Sequence, residues 1–207
     1  MDRVSSLTVT RGRVRVTFDS GRTYTLKKQD LLEFPMREND SIDEERFRRF
    51  VLLHQYPDAL NTAVAMLARR ACSRKEISDK LIARCCCDEV VELVLYKLEK
   101  ENLLNDQDFS EQWTRYRSGG HYGPDRIYRE LRVKGVDEDT ARKAVSSVDE
   151  EEQTAAALDL ATKAVRKCKP GEDPCKSRQR VLRAIVSRGF SWDTAREAVD
   201  KAFSSED

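Results

Sequence analysis

Asp139-Thr140-Ala141-Arg142-Lys143-Ala144-Val145 and Asp193-Thr194-Ala195-Arg196-Glu197-Ala198-Val199 differ at one position only, Lys143 against Glu197. The two stretches stand 54 residues apart, and the same offset carries Ile127 and Leu131 onto Val181 and Ile185, and Val136 onto Phe190. Stepping back by 50 residues places Ile77, Leu81, Cys86 and Val91 under Ile127, Leu131, Val136 and Ala141. Chance rarely aligns apolar positions in three registers, so the chain is an internal repeat.

Punctuation divides each copy into three short helices. In the middle copy, Asp106 or Asp108 starts a helix carrying Phe109, Trp113 and Tyr116, and the Gly119-Gly120 pair ends it. Gly123 caps the next helix, with Pro124 at its first position, where a missing N–H is harmless. Ile127, Leu131 and the alkyl stem of Lys134 give that helix its apolar face, and Gly135 stops it. Asp137 caps the third helix, whose face is Ala141, Ala144, Val145 and Val148. Ser73 with Glu76 forms a capping box in the first copy, and Gly189 plays the part of Gly135 in the third. The expected fold class is all-α, with three tandem three-helix repeats, about nine helices in all, in an elongated curved array. Expected boundaries are 57–105, 106–150 and 151–207. Arrays of this kind usually bind partners along a surface rather than enclose a deep pocket.

Upstream the period changes. Leu7, Val9, Val14, Val16, Phe18, Tyr24 and Leu26 alternate with polar residues and are broken by Arg11-Gly12 and Asp19-Ser20-Gly21. A small β-hairpin or three-stranded meander is predicted within residues 1–40, and it needs something to pack on. Ser41 with Glu44 reads as a capping box opening a connecting helix over residues 41–56, with Phe47, Phe50, Val51 and His54 on one face.

Composition removes several classes. Of 207 residues 39% are apolar and only 8 are glycine, which supports a packed core and excludes collagenous or glycine-rich disordered chains. No stretch approaches the roughly 18 apolar residues of a membrane span. The first residues lack a secretory pattern, so a cytoplasmic protein without a membrane partner is expected. Cys85, Cys86 and Cys87 are consecutive, and no C-x-x-C pair accompanies His54 and His121, so neither a disulfide framework nor a zinc site is expected. Cys168 and Cys175 flank a loop short enough for a bridge or a thiolate pair. No phosphate loop, dinucleotide motif or nucleophile with a base is visible, so no catalytic residue, metal or cofactor is expected.

Net charge is +1, but it is unevenly spread. Residues 1–28 carry seven basic and two acidic side chains, residues 162–191 nine and two, and residues 137–161 two and eight. The middle helices gather the basic residues: Arg74 and Lys75, with Lys80 and Arg84, in the first copy; Arg126, Arg129, Arg132 and Lys134 in the second; Arg178, Arg180, Arg183 and Arg188 in the third. On successive repeats they are expected to line up as one stripe facing a polyanion or a mixed partner. Trp113 is expected in the core, while Tyr122 and Tyr128 are open to either role.

Particular motifs resemble the RecX family of bacterial recombinase regulators. They are Ser73-Arg74 with Glu76-Ile77 and Leu81; Leu103-Leu104-Asn105-Asp106 with Phe109; and Gly123, Ile127, Glu130-Leu131 and Lys134-Gly135-Val136. The resemblance spans roughly residues 57–203. Asn102 stands where the family has glycine, Ser110 where it has alanine, and the cysteine triplet and the Cys168 to Cys175 loop are peculiar to this chain. The resemblance implies a non-enzymatic protein that binds the RecA filament on single-stranded DNA and restrains strand exchange, ATP hydrolysis and co-protease activity in DNA repair and the SOS response. Arg126, Arg129, Arg132, Arg178, Arg180 and Arg183, then Arg74 and Lys75, are the expected contacts. The alternatives are a stand-alone DNA-binding protein of helix-turn-helix-like units and a thiol redox protein using the cysteine triplet. The polar Ser204-Ser205-Glu206-Asp207 end suggests a monomer.

Overall fold

The computed structural model describes residues 1–168 and 172–204. The middle of the Cys168 to Cys175 loop and the last three residues, on which the monomer expectation rests, lie outside the described residues. The chain forms two compact halves, residues 1–105 and 106–207.

In the first half, β1 (Asp2–Thr10), β2 (Arg13–Phe18) and β3 (Thr23–Lys27) form the expected meander. A one-turn helix, α1 (Asp30–Glu33), and a short fourth strand, β4 (Ser41–Ile42), follow, and the antiparallel sheet has the order β3-β2-β1-β4. Ser41 therefore does not cap a helix. It pairs with Arg3 at the sheet edge, Ile42 beside it is buried, and Asp43 is the cap, its carboxylate accepting the Arg46 N–H at 3.1 Å. Val4, Val14, Val16, Phe18 and Leu26 close over Phe47 and Val51, so the sheet packs on the helix that follows it. Val9, expected on that inner face, is exposed.

That helix, α2 (Glu44–Leu67), runs unbroken through Pro57, so the expected boundary between residues 56 and 57 falls inside it. Proline removes one N–H, but burial of Phe47 and Val51 on the sheet and of Ala59 and Ala63 on the next helices holds both ends in line. With α3 (Arg74–Ala83) and α4 (Asp88–Lys100), α2 makes the first three-helix repeat. The Ser73 and Glu76 capping box is present, with bonds of 3.2 Å in each direction.

The second half holds α5 (Asp106–Gly119), α6 (Pro124–Val133) and α7 (Glu138–Ser146), then α8 (Glu150–Val165), α9 (Pro174–Ser187) and α10 (Trp192–Ser204). The positions that defined the repeat are its cores: Ile77, Leu81, Ile127, Leu131, Val181 and Ile185 are all buried, as are Val91, Ala141 and Ala195. Each large aliphatic side chain so buried contributes about 1.5–3 kcal/mol. After each middle helix the chain turns through the left-handed region, at Cys85 (φ +66), Gly135 (φ +84) and Gly189 (φ +93). Asn102 takes the same conformation, with φ +55. The fold is thus mainly helical, three three-helix repeats preceded by a small antiparallel sheet.

Candidate partner-binding surface and its basic residues

The basic side chains of the middle helices sort into two groups once their partners are known. Arg74 is held by Glu92 at 2.8 Å and Glu99 at 2.9 Å, and the Glu92 hydrogen bond raises its pKa. Arg178 is paired with Asp200 and lies 5.2 Å from the Phe203 ring. Arg180 forks onto Glu172, its Nη2 at 2.8 Å from Oε2, and also reaches the Cys168 sulfur at 3.2 Å. Arg126 donates to Glu130 at 3.2 Å. These four cations are spent internally.

Arg129, Arg132 and Arg183 are exposed and meet no carboxylate among the described residues. Arg129 donates to the Asp125 carbonyl at 3.1 Å and Arg132 to the Val136 carbonyl at 2.6 Å, both backbone contacts that leave the positive charge uncompensated. Lys75 is exposed on the first turn of α3. The repeat offset superposes Arg129 on Arg183 and Arg126 on Arg180, but carries them back onto Asp79 and Glu76 in the first repeat. One basic position does recur in all three repeats, Arg84, Lys134 and Arg188 at the C-caps of α3, α6 and α9, whereas the Arg126 and Arg129 positions are basic only in the second and third repeats.

Those two repeats meet through glycine. Gly123 donates its N–H to the Arg188 carbonyl at 2.9 Å, and Asp125 donates to the Gly189 carbonyl at 3.1 Å. The start of α6 is thus capped by the loop that ends α9, whereas α3 is capped by its own Ser73. The approach is so close that a Cβ on Gly123 would stand 2.3 Å from the Gly189 carbonyl. The sequence signal was available: Gly123 occupies the register position of Ser73, a helix start that has given up its side-chain cap.

Around this joint lies a cluster that the one-dimensional reading missed. The Tyr122 ring is contacted by three guanidinium groups, Arg117 at 3.7 Å, Arg126 at 4.7 Å and Arg188 at 4.9 Å from its centroid. Glu130 gathers Arg117, Arg126 and the Trp113 indole N–H, the last at 3.2 Å. Burial opposes charge on Glu130, but the Arg117 and Arg126 hydrogen bonds outweigh it and hold the carboxyl below its ordinary pKa of 4.5. Trp113 is consequently a half-buried rim residue rather than a core one, with the Lys134 ammonium 4.1 Å above its ring. Trp113, Arg126, Arg129, Val133 and Lys134 line an open depression of about 370 Å³, a largely apolar floor with a basic rim. Exposed Tyr116 lies 5.9 Å from Trp113. Tyr128 lies under Arg142, at 5.9 Å.

Other expected features are plainly placed. All six cysteines are free thiols, and burial raises the pKa of Cys86 and Cys87, which disfavours the reactive thiolate. His54 is half-buried, its Nε2 3.3 Å from Glu33. Among the described residues no helix is long and apolar enough to cross a membrane.

The second, first and third three-helix domains of RecX match residues 105–145, 59–98 and 150–199. The chain is 33% identical over 180 residues to the regulatory protein RecX of Corynebacterium efficiens, covering 83% of this chain and 85% of that protein. It is 30% identical over 195 residues to that of Bacillus velezensis, covering 91% and 72%. A crystal structure of a regulatory protein RecX superposes with a TM-score of 0.67 at 22% identity, over 97% of this chain and all of the other. The RecX of Lactobacillus salivarius gives 0.66 at 22% identity, over 72% of this chain and 97% of its own. The repeat, its capping and its relatives agree: this chain belongs to the RecX family.

Proposed function

We propose that the protein is a non-enzymatic regulator of the RecA recombinase that binds RecA filaments on single-stranded DNA and lowers their ATPase, strand-exchange and co-protease output in the bacterial cytoplasm. The relatives' name, a regulatory protein, supports a partner, and the family resemblance supplies RecA as that partner. The observation that carries the choice of residues is the sorting of cations by ion pairing. Arg129, Arg132 and Arg183 keep an uncompensated charge at the surface, and Arg129 and Arg183 occupy the same register in successive repeats. Beside Arg129 the Trp113 and Val133 depression offers apolar contact, as a protein surface requires. A filament of protein on DNA matches that mixture of apolar floor and basic rim better than naked DNA does.

The test is inhibition of the RecA DNA-dependent ATPase by Arg129→Glu with Arg183→Glu in one chain. Loss of inhibition with an unchanged far-UV spectrum and melting temperature is expected, while Arg178→Gln, whose charge is already met by Asp200, keeps most of it. Inhibition equal to that of the parent chain would refute the assignment.

A further inference from the structure

The strongest concentration of uncompensated positive charge in the first half lies away from Arg74 and Lys75. Arg13 on β2, Arg69 just beyond α2, Lys80 on α3 and Arg84 just beyond it are all exposed, and none meets a carboxylate among the described residues. Arg13 donates to the Arg84 carbonyl, which ties the sheet to the end of α3, and Arg84 donates to the Thr62 hydroxyl at 2.8 Å. They border two adjoining depressions, of about 150 Å³ and 510 Å³, that share Asp58, Thr62 and Arg84. Together these make one trough from the β2 and β3 edge, along the C-terminal part of α2, to α3. Acidic groups do line it. Asp58 is engaged by Lys27, and Asp30 accepts the Lys27 backbone N–H at 2.8 Å, with His54 3.9 Å away. The four remaining cations therefore set the sign of the trough.

We propose that this trough is a binding groove for the phosphate backbone of duplex DNA, with the N-terminal sheet, through Arg13, forming one of its walls. It rests on the reading above only in that a nucleic acid is taken to be part of the partner. Three observations select phosphate. Three of the four cations are guanidiniums, whose forked donors fit phosphate oxygens. Asn61 adds a neutral donor of the kind that accompanies backbone contacts, while Thr62, its hydroxyl donating to the Asp58 carbonyl at 2.8 Å, holds the Arg84 guanidinium on the wall. Neither depression is lined by Phe, Tyr or Trp, and the single ring among the lining residues is half-buried His54, packed against Phe50 and 3.3 Å from Glu33. The trough therefore lacks the aromatic platform that unstacked bases need, and the regular backbone of a duplex is the form that needs none. The aromatic and basic surface around Trp113 differs on this last point.

Fluorescence anisotropy of the full-length protein with a labelled duplex oligonucleotide, without RecA and over a range of potassium chloride, tests the groove. Neutralising about four phosphates gives a log–log salt slope of about −3.6. Lys80→Glu with Arg84→Glu is expected to weaken binding at least about tenfold and to flatten the slope by about 2. Arg69→Gln, at a side chain that holds nothing else in place, is expected to flatten it by about 1 with an unchanged melting temperature. Unchanged affinity and slope in both variants would overturn the groove. So would tighter binding of a single strand than of the duplex, or equal binding of a polyglutamate peptide, which would make the trough a site for acidic protein. The same variants are assayed against the RecA ATPase. Lost duplex binding with inhibition retained supports the groove, and lost inhibition in Arg129→Glu with Arg183→Glu, duplex binding retained, supports the other reading, so each can fail alone.

Discussion

Replacing Gly123 by alanine isolates the joint between the second and third repeats. The added Cβ would lie 2.3 Å from the carbonyl carbon and oxygen of Gly189 and from the Phe190 nitrogen, all backbone atoms that no rotamer change can move aside. Ordinary contact is about 3.5–4 Å, so the loop after α9 must retreat by more than an ångström. That movement strains the packing, at about 1–3 kcal/mol, and stretches the Gly123 to Arg188 and Asp125 to Gly189 bonds, each contributing about 1 kcal/mol. A loss of about 2–4 kcal/mol is expected. Gly189→Ala adds a left-handed cost of about 1–2 kcal/mol, since φ is +93, to a Cβ 2.4 Å from the Arg126 Cβ. Gly119→Ala is the control: nothing lies within 4 Å of its Cβ, and at the end of α5 it should leave stability unchanged or raise it by up to about 1 kcal/mol. Urea unfolding followed by tryptophan fluorescence is the assay, because Trp113 and Trp192, the 2 tryptophans of the chain, both lie in the second half and report on it selectively. Gly123→Ala within about 0.5 kcal/mol of Gly119→Ala would refute the close approach as a source of stability.

Two further outcomes follow from local features. Cys85 occupies the left-handed turn that glycine fills in the other repeats, so Cys85→Gly is expected to relieve about 1–2 kcal/mol of strain and to cost about 0.5–1 in chain entropy. A net gain of about 0.5–1 kcal/mol in urea unfolding by far-UV circular dichroism is expected, and a loss would show that the turn is unstrained. Glu130 has a folded pKa below its ordinary 4.5, so its contribution is fully present above that value and disappears as pH falls through 4.5 towards the folded value. Glu130→Gln should cost about 1–3 kcal/mol at neutral pH, and the gap to the parent chain should narrow across that acidic window; a pH-independent gap would rule out the ion pairs as its source.

The repeat, its three-helix parse and the N-terminal strands were legible because burial writes itself into the sequence at fixed periods. Ile77, Ile127 and Val181 must be apolar wherever the repeats finally sit, and Ser73, Asp137 and Gly135 satisfy or turn their own backbone within a few residues. The opening of α2 was misread because Ser41 with Glu44 and Asp43 with Arg46 are equally good local caps, and only the pairing of Ser41 with Arg3, 38 positions earlier, decided between them. The candidate surface was legible in composition but not in availability. Charge is counted along the chain, whereas its neutralisation depends on carboxylates brought from elsewhere: Glu92 and Glu99 to Arg74, Asp200 to Arg178, Glu172 to Arg180. By itself, then, the sequence determined the repeat, its helices and its family. Tertiary structure alone decided which arginines keep their charge for a partner, because an ion pair forms between side chains that meet in space.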